Sequence, residues 1–199
     1  MLSLLHVTRK PYHHIRLNAS FRADLRWWHT FVTEWNSISI LYQLKQHSSD
    51  AEFFTDVSGS WGCAALWEGQ WFQLNWSSVP SFSAASIAPK KLLPIVLAAG
   101  TWGHHWAGKT ILCHSDNEAI ISVINTGSCK EQHLAHMMRC LFFIEAKFNS
   151  ILTARHIPGK SNIDADNLSR GGVHHFLSSH PQANHLPTPI KPGLIESLI

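Results

Sequence analysis

Three short apolar runs, at residues 51–57, 61–68 and 71–77, are broken by small turn residues, with Gly59 and Gly69 at the breaks. Strand-like runs joined by such tight turns pair with their chain neighbours, so the spacing predicts an antiparallel meander of three strands. Beyond the third run, helix and strand patterns alternate. A helix is predicted from Ile87 to about 106, with Pro89 in its first turn and Pro94 further in, where it removes a backbone donor and bends or delays the start. A strand is predicted over 110–115, then a helix over 117–126 that Gly127 ends. A longer helix over 130–148 buries Leu134, Met137, Met138, Leu141, Phe142 and Ile144. A strand over 150–157, the loop Pro158-Gly159-Lys160 and a helix over 162–169 complete the pattern. A meander succeeded by crossover helices implies an α/β fold, a mixed five-stranded sheet with helices on its faces.

Outside this unit the signals are weaker. Residues 1–17 are basic and contain His, without a clear period. With Ser20 as N-cap, Phe21, Leu25, Trp28, Val32 and Trp35 recur at helical spacing and predict an amphipathic helix over 20–36. Its apolar stripe is wide enough to need a partner surface. Residues 36–50 read as a linker, and the Ser-rich 77–86 as a loop. Beyond Gly171 the chain is rich in His, Pro and Ser, so 171–199 is expected to be a flexible tail.

At 45% hydrophobic and 15% charged residues, the 199-residue chain has material for a real core, which excludes wholesale disorder. Nine Trp suit a buried core or an interface. A net charge of +3 permits nucleic-acid binding without demonstrating it. Cys63, Cys113, Cys129 and Cys140 form no CxxC pair and read as reduced thiols of an intracellular protein. No secretory signal is recognisable, and no apolar run approaches the ~20 residues that span a bilayer, so no membrane partner is expected. Two glycosylation sequons, at Asn18 and Asn75, read as chance matches.

Chemistry enters with three aspartates. Asp56 ends the first predicted strand and is followed by Ser58-Gly59-Ser60, which crowds it little. Asp116 ends the fourth strand, and Asp166 lies in the last helix. If the first and fourth strands are parallel neighbours, Asp56 and Asp116 emerge at one sheet edge, within reach of Asp166. Clustered carboxylates repel one another unless a cation sits among them. Hard oxygen ligands select Mg²⁺ or Mn²⁺, and two such ions ~3.5–4 Å apart stabilise both oxygens of a phosphodiester displacement.

Thr55-Asp56 with Gly59-Ser60, Ser115-Asp116-Asn117, and Asn162 with Ala165-Asp166 and Leu168-Ser169-Arg170 together resemble the RNase H domain of retroelement reverse transcriptases. The finer texture is similar to DIRS-type elements of animals. It includes His13-His14-Ile15-Arg16-Leu17, Arg22-Ala23-Asp24-Leu25-Arg26-Trp27-Trp28, Gly59-Ser60-Trp61-Gly62-Cys63, Leu92-Leu93-Pro94-Ile95-Val96-Leu97-Ala98 and Trp102-Gly103. The resemblance covers about residues 11–180. It implies an RNase H-like domain over 51–170, and a helical segment over 1–50 that ancestrally joins a polymerase domain in cis. It also implies an RNA·DNA hybrid or other nucleic acid as partner, and metal-dependent cleavage of the RNA strand. On this resemblance Asp56, Asp116 and Asp166 are three of four metal-binding catalytic carboxylates, and Ser58, Asn117, Lys160 and Asn162 are nucleic-acid contacts, with Asn117 equally readable as a helix-start residue.

The fourth carboxylate should be a Glu just before Leu92-Leu93, and that position holds Lys91. An ammonium supplies no ligand, and at ~4 Å it opposes a divalent ion by several kcal/mol at an effective dielectric of ~20. It can pair with Asp56 or Asp116 and replace the metal as their counter-ion. A slip of one residue finds Lys90, not Glu; Glu118 is expected to point away, and Glu52 and Glu68 have no geometric claim. Three classes of function remain: an impaired hybrid nuclease, a non-catalytic nucleic-acid-binding or interaction module, or a fragment of a decayed element without function. Lys90, Lys109, Lys130, Arg155 and Lys160 are candidate phosphate contacts, each competing with an ordinary solvated charge. His156 reads as structural and Asp164 as solvated. His104, His105, His133 and His136 with Cys129 and Cys140 match no common zinc spacing.

Overall fold

The computed structural model describes residues 17–34, 49–129 and 131–198. The chain divides into two compact units, Met1–Ile38 and Ser39–Ile199. In the first, helix α1 spans Ala19–Glu34. Its cap is Asn18 rather than the expected Ser20: Asn18 Oδ1 accepts the Phe21 N–H at 2.8 Å. Trp27 stacks on Phe31 at 5.0 Å, while Leu25, Trp28 and Val32 of the predicted stripe are 48%, 47% and 60% exposed. Trp35 and the linker 36–48 lie outside the described residues, as do the basic residues 1–16.

The second unit is built on the mixed sheet. Its strands are β1 (Ala51–Val57), β2 (Gly62–Trp67), β3 (Gln70–Asn75), β4 (Thr110–Ser115) and β5 (Ile151–His156), in the order β3-β2-β1-β4-β5. β1, β2 and β3 form the expected antiparallel meander, and β4 and β5 add in parallel beside β1. Glu68 and Gly69 form the tight turn between β2 and β3, both at positive φ (48° and 78°), which suits the twist of a two-residue hairpin. Gly62 permits a close approach: a Cβ there would lie 2.0 Å from the Leu74 carbonyl oxygen.

Seven α-helices lie among the described residues, counting α1. α2 is Pro80–Ser83, α3 Ile87–Trp102, α4 Glu118–Thr126, α5 Gln132–Phe148, α6 Ile163–Ser169 and α7 Val173–Ser179. The Ser-rich stretch expected to be a loop contains α2 and buries Val79 and Phe82 in the core. Pro94 does not stop α3, which runs through it with every residue from Leu92 to Ala99 buried. The lost hydrogen bond is offset by apolar packing on nearly all sides of this helix. No helix among the described residues is long and apolar enough to cross a membrane.

Residues after Gly171 depart from the flexible tail expected of them. Helix α7 packs Phe176 against Trp71, and the chain then runs along the free edge of β3. Asn184 N–H donates to Gly69 O (2.9 Å) and Thr188 N–H to Trp71 O (2.7 Å), while the Trp71 indole N–H donates to Asn184 O (2.7 Å). Leu198 is fully buried, and His136 Nε2 donates to Ser197 O at 2.8 Å. A polar, proline-containing segment is fixed here because an open strand edge offers it unpaired carbonyls.

The opposite edge is closed by side chains. On β5, Ala154 N–H donates to Asn125 Oδ1 (2.9 Å), Asn125 Nδ2 donates to Ala154 O (2.8 Å), and Leu152 N–H donates to Glu145 Oε1 (2.7 Å). Burial pushes the Glu145 carboxyl up to about 7 against the opposing pull of the Leu152 N–H. The folded chain therefore holds a proton that the unfolded chain releases between about pH 4.5 and 7, so stability falls as pH rises through that window. Glu145→Gln keeps the acceptor without the charge. Its advantage over wild type should grow by about 2–3 kcal/mol between pH 5 and pH 8, in urea unfolding followed by fluorescence. An advantage as large at pH 5 as at pH 8 would refute the assignment.

Candidate functional site

The parallel pairing of β1 and β4 creates the site. Phe54 lies opposite His114, and two residues further along each chain stand Asp56 and Asp116. The two carboxylates therefore leave the same end of adjacent strands, as expected for parallel neighbours. Asn162, just ahead of α6, donates its Nδ2 to Thr55 O at 2.9 Å and ties that helix to β1 beside Asp56. Ser169, at the last turn of α6, places its hydroxyl 2.9 Å from both Asp56 Oδ2 and Asp166 O.

Lys91 completes the cluster from α3. Its ammonium donates to Asp56 Oδ1 at 3.1 Å and to Asp116 Oδ1 at 2.7 Å. The Lys91 and Asp56 side chains are 10% and 7% exposed, so this half of the bridge is shielded from water. Asp116 is 32% exposed, and its half is partly screened. Asp166 has a different cation. Arg170, one turn later on the helix, sets Nε and one terminal nitrogen each 2.8 Å from Asp166 Oδ1. The bonded carboxylate raises the Arg170 pKa further.

Each aspartate of the predicted set thus has a side-chain cation. Of the two Asp56 oxygens, one faces an ammonium and the other a hydroxyl. Among the described residues no group of three or more His, Cys, Asp or Glu could hold a metal ion. With an ammonium bridging Asp56 and Asp116, this donor set does not fit Mg²⁺ or Mn²⁺, which need those oxygens for themselves.

The remaining sequence candidates fall in different places. Ser58 is buried, its hydroxyl accepting the Trp61 N–H and its carbonyl the Trp76 indole N–H, so it is part of the β1–β2 turn. Asn117 caps α4, its Oδ1 accepting the Ile120 N–H at 3.0 Å, the helix-start alternative for this residue. Asn162 is 3% exposed with its amide spent on Thr55, which leaves it a fastening rather than an accessible contact. Lys160 is exposed, as are Lys109, Arg155 and His156, while Lys130 lies outside the described residues. Lys90 is neither a phosphate contact nor a solvated charge: it is buried, donates to Ser83 O at 2.8 Å and lies 5.4 Å from the centre of the Trp76 ring. Glu118 is exposed. Glu52 pairs with His114 at 2.9 Å, which holds its carboxyl below the ordinary value. Asp164 lies 3.4 Å from His180. Of the histidines weighed for zinc, His133 stacks on Phe82 and His136 bonds Ser197 O.

Ser169 and Arg170 belong to the motif that carries the resemblance, without a role assigned by it. Their spacing holds the further signal: residues three and four after Asp166 on a helix share its face.

No family model matches the chain, and no curated protein matches it. Among solved structures the chain is similar to RNase H1 from the halophilic archaeon Halobacterium salinarum, with 13% identity and a TM-score of 0.44 over 63% of this chain and 96% of that one. It is similar also to the N-terminal RNase H domain of a Mycobacterium tuberculosis protein, solved as a fusion with maltose-binding protein. There the identity is 9% and the TM-score 0.41, over 65% of this chain and 99% of that one. A third is the foamy viral protease-reverse transcriptase in complex with RNA/DNA hybrid, at 10% identity and a TM-score of 0.42 over 84% of this chain and 28% of that one.

Proposed function

We propose that the chain is an RNase H-like domain of retroelement origin, similar to those of DIRS-type elements, that binds RNA·DNA hybrid or related nucleic acid and does not cleave it. The observation that carries this reading is the Lys91 ammonium between Asp56 and Asp116, at 3.1 and 2.7 Å. Support for the nucleic-acid class comes from the ordered motifs around Asp56, Asp116 and Asp166 and from the sheet that delivers the first two to one edge. Mg²⁺ and Mn²⁺ belong to the ancestral reaction.

Lys91 acts by position. It replaces mutual repulsion of two carboxylates with attraction, and it takes the oxygens that would otherwise ligate a cation. The exposed Leu25, Trp28 and Val32 on α1 favour one additional role, contact with a protein partner such as a polymerase domain in cis.

The test is a labelled hybrid incubated with the full chain in Mg²⁺ and in Mn²⁺, with binding and cleavage read in parallel for wild type and Lys91→Glu. Wild type should shift the hybrid without cutting it, and any cleavage should appear only in Lys91→Glu. Cutting by wild type would remove the claim of silence. Failure to shift hybrid, RNA duplex or DNA duplex would remove the nucleic-acid reading altogether.

A further inference from the structure

A polynucleotide strand approaching three bare carboxylates is repelled by each of them. Nuclease sites of this carboxylate type meet that problem with divalent cations, which neutralise the acids and attract phosphate together. In this chain the neutralising charges are covalent. Lys91 serves Asp56 and Asp116, and Arg170 serves Asp166, so two cations already offset the three acids.

We propose that Lys91 is a built-in replacement for the divalent cations between Asp56 and Asp116, so that this site, with the Arg170 guanidinium beside it, engages the sugar-phosphate backbone of a nucleic-acid duplex without any metal ion. The inference rests on the nucleic-acid reading above and specifies how that same site meets its ligand. The two residues divide the task. Lys91 is nine-tenths buried and two of its three N–H donors are taken, so it is a positioning residue that never reaches the ligand. The Arg170 side chain is 64% exposed, and its guanidinium has five N–H donors, of which Asp166 uses two. The rest of the fork can hydrogen-bond phosphate oxygen while the ion pair holds the plane in place. Lys160 adds a second exposed charge. It sits in the turn Gly159–Ser161, directly before the Asn162 that bonds Thr55 O, so its backbone is fixed to the strand bearing Asp56.

The experiment uses the full chain and a short fluorescent RNA·DNA hybrid, with anisotropy read in MgCl₂ and in EDTA at matched ionic strength. The dissociation constant should change by no more than about twofold on removing Mg²⁺, and a tenfold or greater weakening in EDTA would overturn the inference. Arg170→Gln, a change at an exposed position, should weaken binding several-fold in both buffers and lower the salt slope by about one. An unchanged slope would remove Arg170 as a phosphate contact. A second readout needs no nucleic acid. Mn²⁺ should leave the wild-type melting temperature unmoved, and a clear rise would show that metal enters the site despite Lys91. If no hybrid binds in either buffer, the functional reading fails, and the melting experiment still judges the charge replacement.

Discussion

Lys91→Met should lower the unfolding free energy by about 3–5 kcal/mol, the cost of leaving a buried charge without its partner. The Asp56 half of the bridge dominates, because both side chains there are about nine-tenths or more buried, whereas the Asp116 half is partly screened by water. Ser169 remains as a donor to Asp56 Oδ2, but a hydroxyl does not balance a carboxylate. Methionine preserves most of the aliphatic volume, so the loss reports charge and not packing. The control is a double-mutant cycle in urea. Lys91→Met combined with Asp56→Asn should recover more than half of the loss, since the second change removes the stranded charge. Strict additivity of the two changes would show that Lys91 and Asp56 do not act together.

The second large effect concerns the C-terminal segment. Ending the chain after residue 182 removes Asn184 and Thr188 from the β3 edge, and with them Leu198 and the Leu194 side chain that lies against Gly100. Burial of a few aliphatic side chains, less the entropy of ordering the segment, puts the loss at about 3 kcal/mol. The open β3 edge should also pair between molecules, so the shortened chain should elute as larger species at high concentration. Urea unfolding and size-exclusion chromatography check the two parts separately. An unchanged urea midpoint would mean that 183–199 adds nothing to the folded state.

The antiparallel meander and the mixed five-stranded sheet were legible because each depends on local pattern: short runs, Gly-marked turns and crossover lengths; the parallel pairing of β1 with β4 was a condition in the sequence, met in the fold. The convergence of Asp56 and Asp116 followed once that condition held, since parallel neighbours carry their C-terminal ends to one edge. Errors arose where several local solutions were equally good. Asn18 and Ser20 can each cap a helix, and the helix begins at the earlier one. Lys90 and Lys91 are chemically identical in sequence, yet the turn of α3 sends one to Ser83 and the Trp76 ring and the other to two aspartates. Residues 171–199 read as unstructured because polar, proline-containing sequence has no core of its own, and its partners are carbonyls of a distant strand.

The sequence alone determined the mixed five-stranded sheet, the presence of three acids and a lysine, Lys91, directly before Leu92-Leu93. Only the tertiary structure decided what that lysine does. A charge's effect depends on distance and on the water around it, and both are set when α3 packs across the sheet with Lys91 beside Asp56 and Asp116. It likewise decided that Arg170, whose i+4 spacing only permits the contact, takes Asp166, and that the last residues close an edge through carbonyls of a strand far away in sequence.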